Sequence, residues 1–376
     1  MTYARRIELF KKIEDERKRP LISYVTSSRQ NAAGAIASDV IPELAKQLNC
    51  IPKANKSIDL LVVSNGGDPT VAWRMISMMR ERFDHIGVLL PYAAFSAATL
   101  LALGADEIWM HPFSNLGPVD PQLVYVKKFP GSGGQQEAVE RVQFGSEDLR
   151  NYLEFVKSDV GISDQEQLER AFELVCKDVG TIPIGVAKRS SYLALSMGEK
   201  LLSLHMKDKD ASKPKVIAES LNKSFYHHGY PLSRKEGKEM GLPIREPDDI
   251  LEKLLWQVWE DIEEEMNCNR PFDPLEVALN NPDIAKIISP LPQVQIPAGL
   301  PPQIQQQALQ HILQQIQIIA VNPMDYELFN AALESIRCRS VHKTRLKISA
   351  VRLPDLNIAV NVAKVSQGWT FSKNNG

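Results

Sequence analysis

Ser96 and the pair Gly66-Gly67 are the residues of this 376-residue chain whose types and positions suit covalent chemistry. Ser96 follows a buried apolar run, Ile86 to Leu90, and a turn of small residues at Pro91 to Ala94. It then opens an Ala/Leu-rich helix that ends near Gly104. A hydroxyl at a helix N-terminus stands beside free backbone N–H groups, so an oxyanion developing next to it is stabilised where it forms. That geometry suits acyl transfer. Gly66-Gly67 follow the apolar, β-branched run Ile58 to Val63 and precede a helical pattern from Val71 to Arg82. Two adjacent glycines turn the backbone sharply and leave an N–H that no Cβ covers, the second half of an oxyanion hole. Each feature also has a plainer reading. Serine is a small residue for a tight strand-to-helix turn, and Gly66-Gly67-Asp68 can be an ordinary turn.

The elements that must position these residues alternate. Residues 3 to 18 form a helix with Ile7, Leu9, Phe10 and Ile13 on one broad face, Leu21 to Thr26 a strand, and Ile41 to Leu48 a helix. Strand and helix then alternate to Met110, the mark of an α/β domain with mostly parallel strands. Lys127 to Gly145, with Pro130-Gly131-Ser132-Gly133-Gly134, reads as a flexible loop able to cover a substrate groove. Ser146 reads as a helix cap, and helices are expected over Leu149 to Lys157, Asp164 to Lys177 and Ile184 to His205. Asp248 to Met266 is an amphipathic helix with Leu251, Leu254, Leu255, Val258 and Ile262 on its apolar stripe. Pro271 to Pro302 holds eight prolines and reads as a linker or extended arm. Gln303 to Ala320 carries Ile304, Ala308, Ile312 and Ile316 four apart, a stripe for pairing with another helix or for packing on its own domain. Tyr326 to Ser335 reads as one more helix, and LKISAVRL and LNIAVNVAKV as terminal strands.

Composition narrows the class. Charged residues make up 24% and hydrophobic ones 44%, as in a soluble globular protein, and a net charge of −2 gives no reason to expect nucleic acid as partner. Cys50, Cys176, Cys268 and Cys338 lie far apart with no metal-ligand spacing, which fits a reducing compartment. The N-terminus is charged and has no apolar core of a secretory signal, so a cytoplasmic location is expected. Ile86 to Ala105 is free of charge and long enough for a membrane span, but Pro91, Gly87, Ser96, Thr99 and Gly104 favour a buried strand, turn and helix. Membrane association is therefore not predicted. With no metal cluster and no nucleotide-binding motif, no metal, cofactor or built-in ATPase is inferred.

The order of these pieces resembles a known superfamily. A strand leading to Gly66-Gly67 and a helix, then a strand leading to Ala94-Phe95-Ser96-Ala97 and ADEIWMHPFSNLGPVDPQ, is similar to the Clp protease/crotonase superfamily. Within it the run is most similar to the serine dehydrogenase proteinase family, relatives of signal peptide peptidase A, and the likeness extends to HHGYPLSRKEGKEMGLPI. The resemblance implies an α/β fold built as a spiral of ββα units. It would occupy residues 1–266 with a helical insertion at about 146–206, followed by a Pro-rich linker at 267–302 and a small C-terminal α+β extension at 303–376.

For the chemistry, the resemblance makes Ser96 the nucleophile and Gly66-Gly67 the oxyanion loop, with the Gly67 amide joined by that of Ala97. The base does not carry over directly. The position of the Clp-type histidine falls at Val119-Asp120, and that of the signal-peptide-peptidase lysine at Asp148. Three substitutes stand. His228 resembles the histidine of the family's His-Asp-Tyr motif, with Gly229 in place of the acid, or is a loop histidine. Asp120 orients a base or caps its Pro-x-Asp-Pro turn. Lys188 approaches the serine or lies on a solvated helix face. The implied function is an ATP-independent serine peptidase acting on peptides or unfolded segments as a homo-oligomer. Two alternatives stand beside it: a lapsed Clp-fold scaffold or binding module, and a crotonase-type acyl-CoA enzyme that holds a thioester oxygen on two amides without needing Ser96.

Overall fold

Apolar runs too continuous to leave a face for water become parallel strands covered on both sides. The computed structural model describes residues 3–129, 138–206, 212–223, 225, 227–290, 301–314, 321–353 and 355–374. Helix α1 (Tyr3–Arg17) leads to β1 (Leu21–Thr26), α2 (Val40–Asn49), β2 (Ser57–Val63), α3 (Pro69–Arg80) and β3 (His85–Leu90). The two-residue β4 (Ala93–Ala94), α4 (Ala97–Leu103), β5 (Glu107–Met110) and β6 (Asn115–Leu116) follow. β1, β2, β3 and β5 pair in parallel in that order. Side chains alternate across them, as the period of two requires. Ile22, Tyr24, Leu60, Val62, Val88 and Leu90 join the core under α2, α3 and α4. Leu21, Val25, Leu61, Val63 and Leu89 face Leu9, Phe10 and Ile13 of α1 on the other side. The charge-free run at 86–105 is thus a buried strand, turn and helix, as expected. No helix of the described residues is long and apolar enough to cross a membrane.

Where the chain leaves the C-terminal ends of these strands it forms a second, much smaller ladder. β4 pairs with β6 in parallel, Ser64 bridges Ala94, and Leu116 bridges Leu232. The next segment departs from the sequence expectation. β7 (Leu123–Phe129) and β8 (Ala138–Phe144) form an antiparallel hairpin over part of the stretch read as a loop, because both sides of the glycine-rich segment carry β-branched and aromatic residues that favour strands. That segment, Pro130 to Gly134, lies outside the described residues. The expected helices appear as α5 (Ser146–Ser158), α6 (Gln165–Val179) and α7 (Thr181–Ser203), followed by α8 (Lys213–Lys223). Gly145 rather than Ser146 takes the N-cap of α5, and the Asp148 carboxylate accepts the Gly145 N–H at 2.6 Å. α9 (Arg234–Glu239) and β9 (Ile244–Arg245) return to the sheet beside β5, and α10 (Asp249–Met266) lays its apolar stripe against α1.

The proline-rich stretch holds two short helices. α11 (Pro274–Leu279) and α12 (Pro282–Ile288) each begin with proline after a capping Asp273 or Asn281, positions where a missing N–H costs nothing. After α13 (Pro302–Gln314), with Ile316 of the expected stripe outside the described residues, three strands complete the sheet: β10 (Met324–Glu334), β11 (Cys338–Arg352) and β12 (Ile358–Lys373). The sheet order is β12-β11-β10-β1-β2-β3-β5-β9. The helix expected over Tyr326 to Ser335 is therefore corrected to a strand. Ala331, Ala332 and Leu333 favour a helix locally, but antiparallel pairing to β1 on one side and β11 on the other overrides that preference.

A buried ion cluster fastens this last addition. Arg6, fully buried, donates to Glu334 Oε2 (2.8 Å) and Oε1 (2.9 Å) and to Asp261 Oδ1 (2.6 Å), and also pairs with Glu265. It thereby joins α1, α10 and β10. Removing Arg6 leaves Asp261 without its cation and Glu265 and Glu334 with Arg339 alone, so Arg6→Ala is expected to lower the unfolding free energy by about 3–5 kcal/mol in urea denaturation. A loss below about 1 kcal/mol would contradict the importance given to this cluster.

Candidate active site

Ser96 caps α4 with φ +53° and ψ −117°, a backbone conformation that side chains with a Cβ rarely adopt. The surroundings hold it there. Ala98 N–H donates to Phe95 O (2.9 Å) and Leu100 N–H to Ser96 O (3.1 Å), which starts the helix immediately after the turn. The Thr99 hydroxyl lies 2.8 Å from both the Ala94 and Gly117 carbonyl oxygens and accepts the Gly117 N–H at 3.2 Å. Thr99 thus locks the turn before Ser96 to the strand end that leads on to Asp120.

The diglycine bend comes up against this turn. A Cβ on Gly66 would stand 2.7 Å from Ser96 Cβ and 2.8 Å from Phe95 O, and the residue has φ +106°. A Cβ on Gly67 would meet Ile36 O at 2.2 Å. The bend is fixed by bonds on both sides: Ile36 N–H donates to Gly66 O (2.8 Å) and Asp68 N–H to Ile36 O (2.9 Å). Thr26 Oγ1 and Ser64 Oγ are 2.7 Å apart, and Ser64 Oγ accepts the Gly66 N–H at 3.1 Å. Phe95 N–H donates to Ser64 O (2.9 Å), so the bend and the serine turn share one anchor. The Gly66 amide is therefore occupied. Among the described residues, the N–H groups of Gly67 and Ala97 have no acceptor.

Ser96, Gly67 and His228 line one cavity of about 370 Å³, whose other walls include Leu100, Val119 and Leu193. His228 sits on a turn between α8 and α9, closed by Tyr230 N–H donating to His227 O at 3.0 Å. Its Nδ1 lies 2.9 Å from Asp120 Oδ1, while Asp120 Oδ2 accepts from Gln122 Nε2 at 2.8 Å. With Nδ1 engaged, Nε2 is the ring nitrogen left for the cavity. The bond to Asp120 stabilises the imidazolium and outweighs the burial that disfavours it, so the His228 pKa is raised above its ordinary value.

The structure thus brings together Ser96, Gly66, Gly67, Ala97, His228 and Asp120. Gly229 leaves the histidine without a neighbouring acid, and the carboxylate that touches the ring comes instead from Asp120, far earlier in the chain. Lys188 is placed elsewhere: it is exposed on α7 with its ammonium 4.8 Å from the Tyr192 ring centroid. Gln122, Thr99, Ser64 and Thr26 were not singled out from the sequence. Gln122, two residues past Asp120 in the quoted GPVDPQ stretch, carries a local signal. The others become visible only through tertiary contacts. Among the described residues no group of three or more His, Cys, Asp or Glu side chains could hold a metal ion.

Comparison with known proteins agrees with the motifs. Residues 2–143 match the model of the ClpP-like SDH-type serine proteinase family, and the resemblance read from the sequence is borne out over that stretch. Two uncharacterized proteins of Methanocaldococcus jannaschii are similar. One is 25% identical over 248 residues, 64% of this chain and 73% of the relative. The other is 25% identical over 203 residues, 54% of this chain and 56% of the relative. Among solved structures, a mutant of the 1510-N membrane-bound stomatin-specific protease aligns at 13% identity with a TM-score of 0.36, over 62% of this chain and 83% of that one. That superposition is too loose to carry an argument.

The contact between His228 and Asp120 has a direct readout. In an NMR titration His228 is expected to ionise above the ordinary histidine midpoint, and Asp120→Asn to move that midpoint down while the other histidines stay put. An unshifted midpoint in the variant would show that the carboxylate does not control the ring.

Proposed function

We propose that this chain is a serine peptidase that cleaves peptides or unfolded segments through an acyl-enzyme on Ser96, without ATP. The observation that carries the reading is the shared cavity, in which a hydroxyl on a strained helix start faces a free Gly67 amide and a histidine backed by a carboxylate. The serine proteinase family match over residues 2–143 supports it and spans Ser96, both glycines and Asp120.

In this reading His228 Nε2 takes the Ser96 proton as Oγ adds to the substrate carbonyl. The carbonyl oxygen, now negative, is held by the Gly67 and Ala97 N–H groups. Asp120 keeps Nδ1 protonated and stabilises the imidazolium, which then protonates the departing amine. Water attacks the acyl-enzyme by the same route in reverse. Lys188 has no step to perform. The short ladder through Ser64, β4, β6 and Leu232 is read as the inner turn of the ββα spiral, and a homo-oligomer is the form that the family resemblance suggests.

The test begins with a fluorophosphonate. Wild-type protein is expected to be labelled and Ser96→Ala to escape labelling, with peptide hydrolysis lowered by at least about 10³-fold. Folded wild-type protein that stays unlabelled would favour the scaffold reading, and Ser96→Ala that turns over a CoA thioester at full rate would favour the acyl-CoA enzyme. The pH dependence follows from the raised His228 pKa. Only neutral His228 can accept the proton, so kcat/KM should climb with pH through an ionisation above the ordinary histidine value of about 6.5. Asp120→Asn should carry that limb to lower pH while reducing the plateau by about 10²- to 10⁴-fold. A limb that stays in place would remove His228 from the role of base.

A further inference from the structure

Beside the Ser96 cavity lies a second, larger chamber of about 550 Å³, and the two share Gln122 and His228 as common wall. Four carboxamides, Gln122, Gln143, Asn151 and Asn222, line the chamber together with the charged Asp120, Glu147, Asp148 and Lys223. Asn222, on α8, is 2% exposed. Its Oδ1 accepts from Ser191 Oγ at 2.9 Å, but its Nδ2 has no partner among the described residues. A buried donor left unmade is costly, and Asn222 lines the chamber, so an acceptor that reaches its Nδ2 from there relieves that cost.

We infer that this chamber receives the main chain of a polypeptide on the leaving-group side of the cleaved bond, with Asn222 Nδ2 donating to one of its carbonyl oxygens. The inference rests on the peptidase reading above. Two arguments support it. Carboxamides both donate and accept, so a wall of them complements peptide main chain whatever the side chains are. The direction follows from the proton's path: the base that takes the Ser96 proton delivers it to the departing amine, so the departing segment must pass His228. On the far side of His228 from Ser96 lies the chamber that holds Asn222 and the other three carboxamides. The preferred substrate is therefore a chain that extends beyond the cleaved bond, rather than a small terminal amide or thioester.

A substrate series tests this with the intact chain: one acyl-peptide carrying as leaving group either aminomethylcoumarin or an alanine peptide of one to four residues. Wild-type kcat/KM should rise by about tenfold or more from the one-residue to the four-residue leaving peptide. Asn222→Asp, which keeps an acceptor for Ser191 but loses the donor, should lower the ratio of long to short by about five- to tenfold. Asn151→Ala, on the exposed face of α5, should lower the same ratio without touching a buried position. A flat length series, or ratios unchanged in both variants, would overturn the inference while leaving the peptidase reading intact. Absence of any Ser96-dependent cleavage across the series would overturn both.

Discussion

The site depends on how closely two backbones approach. Gly66 lies so near the Ser96 turn that a single added carbon would stand 2.7 Å from the serine Cβ, well inside van der Waals contact. That approach is possible because Gly66 adopts a left-handed conformation without strain, whereas Ser96, which does have a Cβ, is forced into one. The difference is instructive. Ser96 makes no side-chain cap bond to its helix and lines the cavity. The relaxed glycine brings the next amide, that of Gly67, to the same cavity with its donor free.

Such an arrangement needs a rigid base, and the sheet supplies one. Ser64 directly follows β2, which is buried from Ile58 onward, and Ala94 lies on the chain leaving β3, so the bend and the serine turn are the adjoining ends of two paired strands. Thr26, at the end of β1, reaches Ser64 from the neighbouring strand. Three consecutive parallel strands therefore converge on one anchor, which is the usual place for a site in an open α/β sheet. The C-terminal strands widen this sheet on the opposite side of β1, and Arg6 ties them to both helices on that face. His228 has a different origin. It arrives on a turn after the helical segment, and its position is set by Asp120 and by the Leu116 to Leu232 bridge.

Much of this was legible in the residues. Continuous apolar runs foretold the parallel strands, and Ser96, Gly66 and Gly67 stood out because their local spacing alone prescribes a turn into a helix and an uncovered amide. Asp120 and His228 could be named but not paired, since 108 residues separate them and only the fold closes that distance. Lys188 was attractive as a cation on a nearby helix, but the helical phase that exposes it is decided by which face of α7 buries Ala187, Ser191 and Ala194. The misread segments share a cause. Tyr326 to Ser335 has a helical composition and becomes a strand through its neighbours, and the β7–β8 hairpin was hidden by the glycines between its arms.

The most direct measurement of the central claim is the second-order rate at which a fluorophosphonate captures Ser96 in Gly66→Ala. The added methyl group must push the bend away from the serine turn, so a folded variant is expected to react at least about 10²-fold more slowly than wild type, the scale of losing one oxyanion donor. Capture at the wild-type rate in a folded Gly66→Ala protein would mean that the approach of these two backbones does not create the site.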